Sequence, residues 1–172
     1  VEMLDIDVNH SDLESVLVSG SRDTRDAIWP RHAEMKGDIL SNKAIRLGLN
    51  FVEGLPEADI NRIVARRRSE GYRSIRDLWL RTGVAIASLE KLAKADAFSS
   101  MNLNRREALW AVRSLVGTHG ADTLPLFQAS GPFETQKEEP AGLPLMAPGE
   151  EVVHDYATLS LSLKGHPVEF MR

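Results

Sequence analysis

Arginines that follow a tight corner are the residues of this chain with the clearest potential for chemistry. The corner is Gly-Leu-Pro at residues 54–56, within the stretch "LNFVEGLPEADINRIVARR". The arginines beyond it are Arg62, Arg66, Arg67 and Arg68. Guanidinium groups bind phosphate oxygens through charge-assisted hydrogen bonds, so the cluster favours binding of a polyanion. The alternative is that the arginines only solvate the outer face of a helix.

Charge is divided unevenly along the chain, which has 172 residues and a formal net charge of -4. Residues 1–42 contain four Lys and Arg against nine Asp and Glu, and residues 119–172 contain three against eight. Residues 43–118 contain fourteen against eight, a net charge of +6. A basic middle between acidic flanks indicates a polyanion-binding centre.

Two strands and a helix must position these arginines. Residues 1–8 and 44–50 alternate apolar and polar side chains, which predicts two half-buried strands that pair as an antiparallel ribbon. Residues 20–42 show weak periodicity and are interpreted as an irregular insertion. Beyond the corner, apolar residues at helical spacing predict a helix. Pro56 suits its first position, because a proline lacks the N–H that would be unpaired there.

Cap residues predict two further helices. Ser74 with Asp77 is typical of a helix start, and Gly83 is typical of the end of the same helix. Asn104 with Glu107 predicts the start of a later helix. The exposed side of that later helix would extend the basic surface through Arg105, Arg106 and Arg113.

The spacing around the corner resembles the helix-hairpin-helix motif. The positions that fill its pattern are Leu49, Val52, Gly54, Leu55 and Ile60. The resemblance implies that a DNA phosphate is held on the backbone N–H groups of Glu57, Ala58 and Asp59, with the arginines on neighbouring phosphates. Pro56 replaces the second glycine of the motif and removes one donor, and Glu57 adds a negative charge. A hairpin kept only for packing is the alternative.

A second, weaker copy of the motif follows. The stretch "VAIASLEKLAKADAF" repeats the apolar helical spacing and turns at Asp96, where a hairpin glycine is expected. Because a carboxylate repels phosphate, this copy is predicted to be structural.

The sequence after Gly117 is rich in proline and glycine and is interpreted as a linker or extended wrap, followed by a short helix and a helical tail. Within it, "LPLF" resembles the short peptides by which bacterial polymerases dock on the sliding clamp. This resemblance makes Leu124, Leu126 and Phe127 candidate clamp-binding residues. Burial of the same residues against the domain explains them equally well.

The sequence contains no recognisable catalytic or metal site. Its five histidines are scattered without metal-ligand spacing, and it has no cysteine. Asp5 and Asp7 resemble a carboxylate pair that could hold magnesium, but two acids without a third carboxylate are usually solvated. Neither a glycine-rich phosphate loop nor a Ser-His-Asp arrangement is present. Without an apolar run long enough to span a membrane, the expected location is the cytoplasm, in association with the nucleoid.

Over nearly its whole length, except residues 20–42, the chain resembles bacterial C-family polymerases of the error-prone branch, homologues of the DNA polymerase III alpha subunit. The motifs that carry this resemblance occur in the family's order: "IDVNHSDLES", "AIRLGLNFVEGL", "YRSIRDLWLRTGV", "LEKLAKADAF", "NRREALWAV", "PLF" and "LSLKGHPVEFMR". The resemblance implies a fragment of a translesion polymerase of damage-induced (SOS) mutagenesis. The catalytic palm of that DNA-directed DNA polymerase, with its Mg²⁺, would lie elsewhere, so no cofactor and no catalytic residue are expected here.

These observations together predict a mainly α fold: a tandem helix-hairpin-helix bundle with a small antiparallel β ribbon on its N-terminal side and an extended C-terminal tail. Residues 1–43 would end a fingers-type region, residues 44–118 would form the DNA-binding domain, and residues 119–172 would lead to a missing OB-fold domain. The predicted function is sequence-independent binding of primer-template duplex DNA. The alternative is an interaction scaffold that docks the polymerase on the sliding clamp or on another mutagenesis protein.

Overall fold

Helices make up most of the regular structure in the computed structural model, which describes residues 2–20, 28, 30–38, 42–118 and 143–170. Its three strands are β1 (Glu2–Leu4), β2 (Val16–Ser19) and β3 (Lys43–Arg46). Its α-helices are α1 (Glu57–Arg66), α2 (Ile75–Thr82), α3 (Ile86–Lys94), α4 (Arg105–Thr118) and α5 (Pro148–Leu159). Short 3₁₀ segments lie at Pro30–Asp38, Leu49–Phe51, Ser99–Met101 and Pro167–Phe170. The prediction of a mainly α fold is confirmed.

The strands form a mixed three-stranded sheet in the order β1-β3-β2. β3 pairs with β1 in parallel, with Met3 opposite Ile45, and with β2 in antiparallel, with Leu17 opposite Ile45. The predicted antiparallel pairing of the first strand with β3 is therefore wrong. The reason is β2, which the sequence did not reveal: the chain reverses once before β2 and once after it, so β3 runs in the same direction as β1.

Both predicted strands are longer than the observed ones. β1 ends at Leu4, and the buried Ile6 and Val8 that follow belong to the core without belonging to the sheet. β3 ends at Arg46, and the chain then turns into the 3₁₀ segment Leu49–Phe51. Apolar alternation thus marked burial correctly but overestimated the length of the pairing.

One hydrophobic core joins the N-terminal residues to the four helices that follow. It contains Ile6 and Val8 beside apolar side chains from residues 47–115. In the described part of the chain this core therefore includes residues on both sides of the predicted boundary at residue 43. The long helix α4 contributes Ala108, Val112 and Leu115 to this core, as its spacing predicted.

The predicted helix caps are present. The Ser74 hydroxyl accepts the N–H of Asp77 at 3.1 Å, and Gly83 ends α2 with φ +63°. At the start of α4 the Asn104 side chain accepts the Glu107 N–H, and the Glu107 carboxylate accepts the Asn104 N–H, both at 3.0 Å. Each cap satisfies amide groups that a helix start leaves unpaired.

Ion pairs attach α5 to the helical bundle. Lys164, just beyond α5, donates to the carboxylates of Asp96 and Glu151, each at 2.6 Å. Burial tends to lower the pKa of Lys164, but these carboxylates outweigh it and raise the pKa above its ordinary value. The predicted helix near the C-terminus is therefore present and packed on α3.

Candidate nucleic-acid interface

The corner before α1 has the backbone conformation that its glycine suggests. Gly54 adopts φ +68°, in the left-handed region that L side chains rarely occupy. The N–H of Leu55 donates to the carbonyl of Val52 at 3.2 Å, and the Leu55 side chain is buried. The corner is thereby fixed to the core, and it directs the chain into α1 at Pro56. We call residues 49–66 the first hairpin.

The start of α1 leaves two backbone donors without a partner in the described structure. The Pro56 carbonyl accepts the N–H groups of Asp59 at 2.9 Å and Ile60 at 3.1 Å, and no side chain caps the helix. The amides of Glu57 and Ala58 therefore remain available at an exposed helix start. Such amides, with the positive end of the helix dipole, form a binding site for an anion.

The expected third donor, the amide of Asp59, is not available, because it is already bonded to Pro56. The Asp59 side chain is also turned inward: it is buried and accepts hydrogen bonds from Ser88 and Arg62. The Asp59 side chain therefore contributes to packing, and its amide, predicted to meet a phosphate, is hydrogen-bonded to Pro56 in this structure.

An exposed stripe of α1 runs from the free amides to the end of the helix. Ala58, Arg62 and Arg66 follow one another at four-residue spacing and are all exposed. Arg62 is half exposed, pairs with Asp59, and lies 3.4 Å from the carbonyl of Gly83. The Arg66 side chain has no hydrogen-bond or ion-pair partner within the described ranges, and neither does the exposed side chain of Arg68 beyond the helix. Two cations with uncommitted charge therefore lie at the far end of this stripe.

Arg81, on α2, fixes the end of α1 in place. Its guanidinium donates to the carbonyls of Arg66 at 2.5 Å and Gly71 at 2.9 Å, and it stacks over the Tyr72 ring at 4.4 Å. The Tyr72 hydroxyl in turn donates to the carbonyl of Ile63 at 2.6 Å. The backbone that carries Arg66 is thus held by hydrogen bonds, while its side chain has no partner among the described residues.

A second hairpin has the same layout, with α3 on one side and α4 on the other. Asp96 adopts φ +58° where the first hairpin has Gly54, so Ser99 and Ser100 correspond in spacing to Glu57 and Ala58. Here one of the two amides is occupied: the Ser100 N–H donates to the Asp7 carboxylate at 2.8 Å, and the Ser99 hydroxyl donates to the same carboxylate at 3.0 Å. The chain itself therefore supplies the anion of the second hairpin.

The sequence of this segment matches a known protein family. The family model described as the helix-hairpin-helix motif matches residues 1–108, more than half of the chain. This chain belongs to the helix-hairpin-helix family. Family membership supports binding of DNA in general, and the match covers the strands, the first hairpin and the second hairpin as far as the start of α4.

Longer relatives of this helix-hairpin-helix chain are named error-prone DNA polymerases. The chain is 50% identical over 172 residues to "Error-prone DNA polymerase 1" of Rhizobium meliloti (strain 1021). It is 48% identical over its full length to "Error-prone DNA polymerase" of Sinorhizobium medicae and 44% identical to that of Mesorhizobium japonicum. The resemblance to the error-prone polymerases is thereby confirmed. The chain spans 15% of the length of each of these relatives.

Unlike the side chains of Arg66 and Arg68, the Arg67 side chain is bonded within the protein. Its guanidinium donates to the Ser11 carbonyl at 2.8 Å and to the Asp12 carboxylate at 2.9 Å, and its side chain is only 13% exposed. Arg67 therefore ties the end of α1 to the N-terminal residues. Its hydrogen bonds are made inside the protein in this structure, so the predicted phosphate contact of Arg67 would require these bonds to be exchanged.

Arg105 and Arg106 are also committed to partners. Arg105 is 1% exposed and pairs with Asp155 and Glu151 on α5. Arg106 donates to Glu150 at 3.0 Å and to the Pro144 carbonyl at 2.9 Å. The predicted exposure of Arg105 is wrong, because the C-terminal helix covers the start of α4. The sequence alone could not show that α5 packs over the start of α4, because the two helices are far apart in the chain.

Lys91 is a cation at the first hairpin that sequence reasoning missed. It lies on α3, and its Nζ donates to the carbonyl of Gly54. Nothing local singles it out, since it is one lysine among several on an amphipathic helix. Only the packing of α3 beside the corner brings it there.

Other sequence predictions fall outside this site. The candidate clamp residues Leu124, Leu126 and Phe127 lie outside the described residues. Asp7 is buried in the second hairpin, whereas Asp5 is exposed, so the two do not act as a pair. Among the described residues, no group of three or more acids and histidines could hold a metal ion, and no helix is long and apolar enough to cross a membrane.

Proposed function

We propose that this chain binds duplex DNA through its phosphate backbone, independently of base sequence, as part of an error-prone DNA polymerase. The observation that carries the proposal is the pair of free amides of Glu57 and Ala58 at the exposed start of α1. They lie next to a positive-φ corner in a chain of the helix-hairpin-helix family. Amides of this kind bind a phosphate without contacting base edges.

The charge on the same face of α1 supports a second point of contact. Arg66 lies eight residues after Ala58, a distance of about 12 Å along a helix axis. Since each DNA strand carries a phosphate for about every 3.4 Å of duplex axis, this spacing reaches beyond the phosphate bound at the amides. Arg68 adds a further uncommitted charge just after the helix. Phosphate contacts of this type fix the position of a protein on a duplex and carry no base preference.

The names of the longer relatives suggest the setting in which such binding would be used. A polymerase must hold its primer-template duplex while it extends the primer, and sequence-independent contacts suit that task. We therefore place this chain on the duplex behind the primer terminus during translesion synthesis in damage-induced mutagenesis, in the bacterial cytoplasm. The catalytic carboxylates and their Mg²⁺ are assigned to other parts of the longer protein.

Binding of the 172-residue chain to a fluorescently labelled primed duplex, measured over a series of salt concentrations, tests the proposal. We expect log affinity to fall linearly with log salt, by a slope of about -0.9 for each phosphate contact. The Arg66→Ala/Arg68→Ala variant should bind about tenfold more weakly at low salt, with a slope shallower by up to about 1.8. Duplexes of unrelated sequence should bind equally well.

A matched control removes the same charge from other elements. Lys43→Ala/Arg113→Ala takes away two exposed cations, on β3 and α4, that have no hydrogen-bond or ion-pair partner within the described structure. This control should bind like the wild type if the contact is local to the first hairpin. Equal losses of affinity in both double variants would mean that net charge alone, and not a contact at the first hairpin, explains the loss. If the wild type does not bind duplex at low salt, the proposal is overturned.

A further inference from the structure

Lys91 reaches the corner of the first hairpin from a different helix. Its Nζ donates a hydrogen bond to the Gly54 carbonyl and lies 3.2 Å from the position that a Cβ at residue 54 would occupy. The ammonium group is therefore held against the one residue of the corner whose backbone has positive φ. The free amides of Glu57 and Ala58 begin three residues further along the chain.

The charge of Lys91 is not neutralised by a carboxylate. Within the described ranges no acid lies within ion-pair distance of its Nζ. The group that accepts its hydrogen bond is the neutral carbonyl of Gly54. Most other cations near the hairpins are paired with acids. Examples are Arg62 with Asp59, Arg67 with Asp12, and Arg81 with Asp77. The corner therefore positions one ammonium group whose charge is not neutralised by an acid.

The hydrogen-bonding capacity of Lys91 is also incomplete. An ammonium group carries three donors and no acceptor, and the Gly54 carbonyl takes one of them. A carbonyl orients the ammonium without cancelling its charge, and the two remaining donors stay available to another oxygen. A compact charge with free donors, held at the corner that precedes the two free amides, suits an anionic oxygen.

We propose that Lys91 is a further DNA contact, which binds a phosphate oxygen at the first hairpin while the Gly54 carbonyl holds its ammonium group in position. This inference rests on the proposed binding of duplex DNA, and it adds a residue of α3 to a site otherwise built from α1. It also gives the hairpin a positive group that partly offsets the carboxylate of Glu57. The contact is with backbone phosphate, so it adds affinity without base preference.

Substitutions at positions 91 and 94 test the inference in the 172-residue chain. Lys94 is the matched control, because it lies on the same helix, is exposed, and has no hydrogen-bond or ion-pair partner among the described residues. Lys91→Met should weaken binding of the labelled duplex about tenfold at low salt and make the salt slope shallower by about 0.9. Lys94→Met should change affinity less than about twofold, since it removes the same charge from a position that does not contact the first hairpin. Lys91→Arg keeps the charge and should restore most of the affinity and the slope.

Thermal unfolding of each variant separates the DNA contact from a loss of folding. If Lys91→Met keeps the wild-type Tm and loses affinity and slope, the inference is supported. If Lys91→Met binds like Lys94→Met, or if Lys91→Arg binds as weakly as Lys91→Met at an unchanged Tm, the inference is overturned while the function stands. If the wild type fails to bind duplex at low salt, the proposed function is overturned, and this contact with it.

Discussion

At the scale of single residues, the first hairpin combines two free amides with a carboxylate that opposes their ligand. Glu57 is the first residue of α1 and is exposed, so its charge lies at the mouth of the proposed phosphate site. A negative charge there stabilises the helix through its dipole but repels a phosphate. The same side chain should therefore have opposite effects on folding and on the proposed binding.

Glu57→Gln should separate these two effects. We expect the variant to bind duplex DNA about threefold more tightly at low salt, because one repulsion through a largely aqueous path is removed. Its free energy of unfolding should fall by up to about 1 kcal/mol, since the favourable interaction with the helix dipole is lost. Fluorescence titration and urea denaturation measure the two quantities, with the exposed Glu14→Gln as control. An unchanged affinity would mean that no phosphate lies near the start of α1.

The hydrogen-bond and ion-pair partners of individual arginines could not be derived from the local sequence. Arg66 and Arg67 are neighbours with the same side chain, yet Arg66 is free and Arg67 is bound to Asp12, which lies 55 residues earlier in the chain. Arg105 is bound to Asp155, 50 residues later. Spacing shows which residues share a helix face, but the partner that occupies a face comes from distant parts of the chain.

At the scale of elements, α5 is attached to the bundle by one buried cation. Arg105 lies against the Asp155 carboxylate and donates to the Glu151 carbonyl at 3.1 Å, so removal of its side chain leaves a buried carboxylate without its main partner. Loss of one partner from a buried ion pair is costly because the remaining charge is desolvated and uncompensated.

Arg105→Ala should therefore lower the free energy of unfolding by about 3–5 kcal/mol. The neighbouring Arg106→Ala is the control, since the ion pair of Arg106 with Glu150 is partly exposed and should cost less than about 1 kcal/mol. Urea denaturation followed by circular dichroism measures both variants. Similar losses in the two would indicate that α5 is not held through the buried pair.

The helix boundaries could be predicted from sequence, whereas the sheet topology could not. Caps are local: Ser74 needs only Asp77, and Asn104 needs only Glu107, so four residues contain the signal. The order of the strands depends on where the chain returns after residues 20–42, and no short-range pattern contains that information. The four residues of β2 are too few to show a convincing alternation. The tandem hairpins were predictable because their apolar and turn positions match the spacing of the helix-hairpin-helix motif.

At the scale of the whole molecule, the Asp7 carboxylate connects the N-terminal segment to the second hairpin. Asp7 is 2% exposed and also accepts the N–H of Asn9 at 2.8 Å and a hydrogen bond from His10 at 2.9 Å. Burial tends to raise the pKa of Asp7, but the hydrogen bonds from Ser100, Asn9 and His10 outweigh it and hold the pKa below its usual value of 3.8.

This lowered pKa predicts a dependence of stability on pH. Because the folded state binds the proton of Asp7 less readily than the unfolded state, the stabilisation is complete above about pH 3.8 and is lost as the pH falls through the lower folded value. Asp7→Asn should be less stable than the wild type at pH 7 and should show a weaker decline below pH 4. Urea denaturation over this pH range measures the difference, and parallel curves for the two proteins would contradict it.

Asp7 also acts as an internal ligand that the second hairpin cannot lose by dilution. A carboxylate joined to the site by the same chain is present at an effective concentration that dissolved phosphate or chloride has to exceed before it can compete. The first hairpin has no such tethered occupant among the described residues, so the proposed phosphate there would exchange with anions of the surrounding solution. Added salt should therefore empty the first hairpin of DNA while the second stays filled, so that a plot of affinity against salt counts the contacts of one hairpin alone.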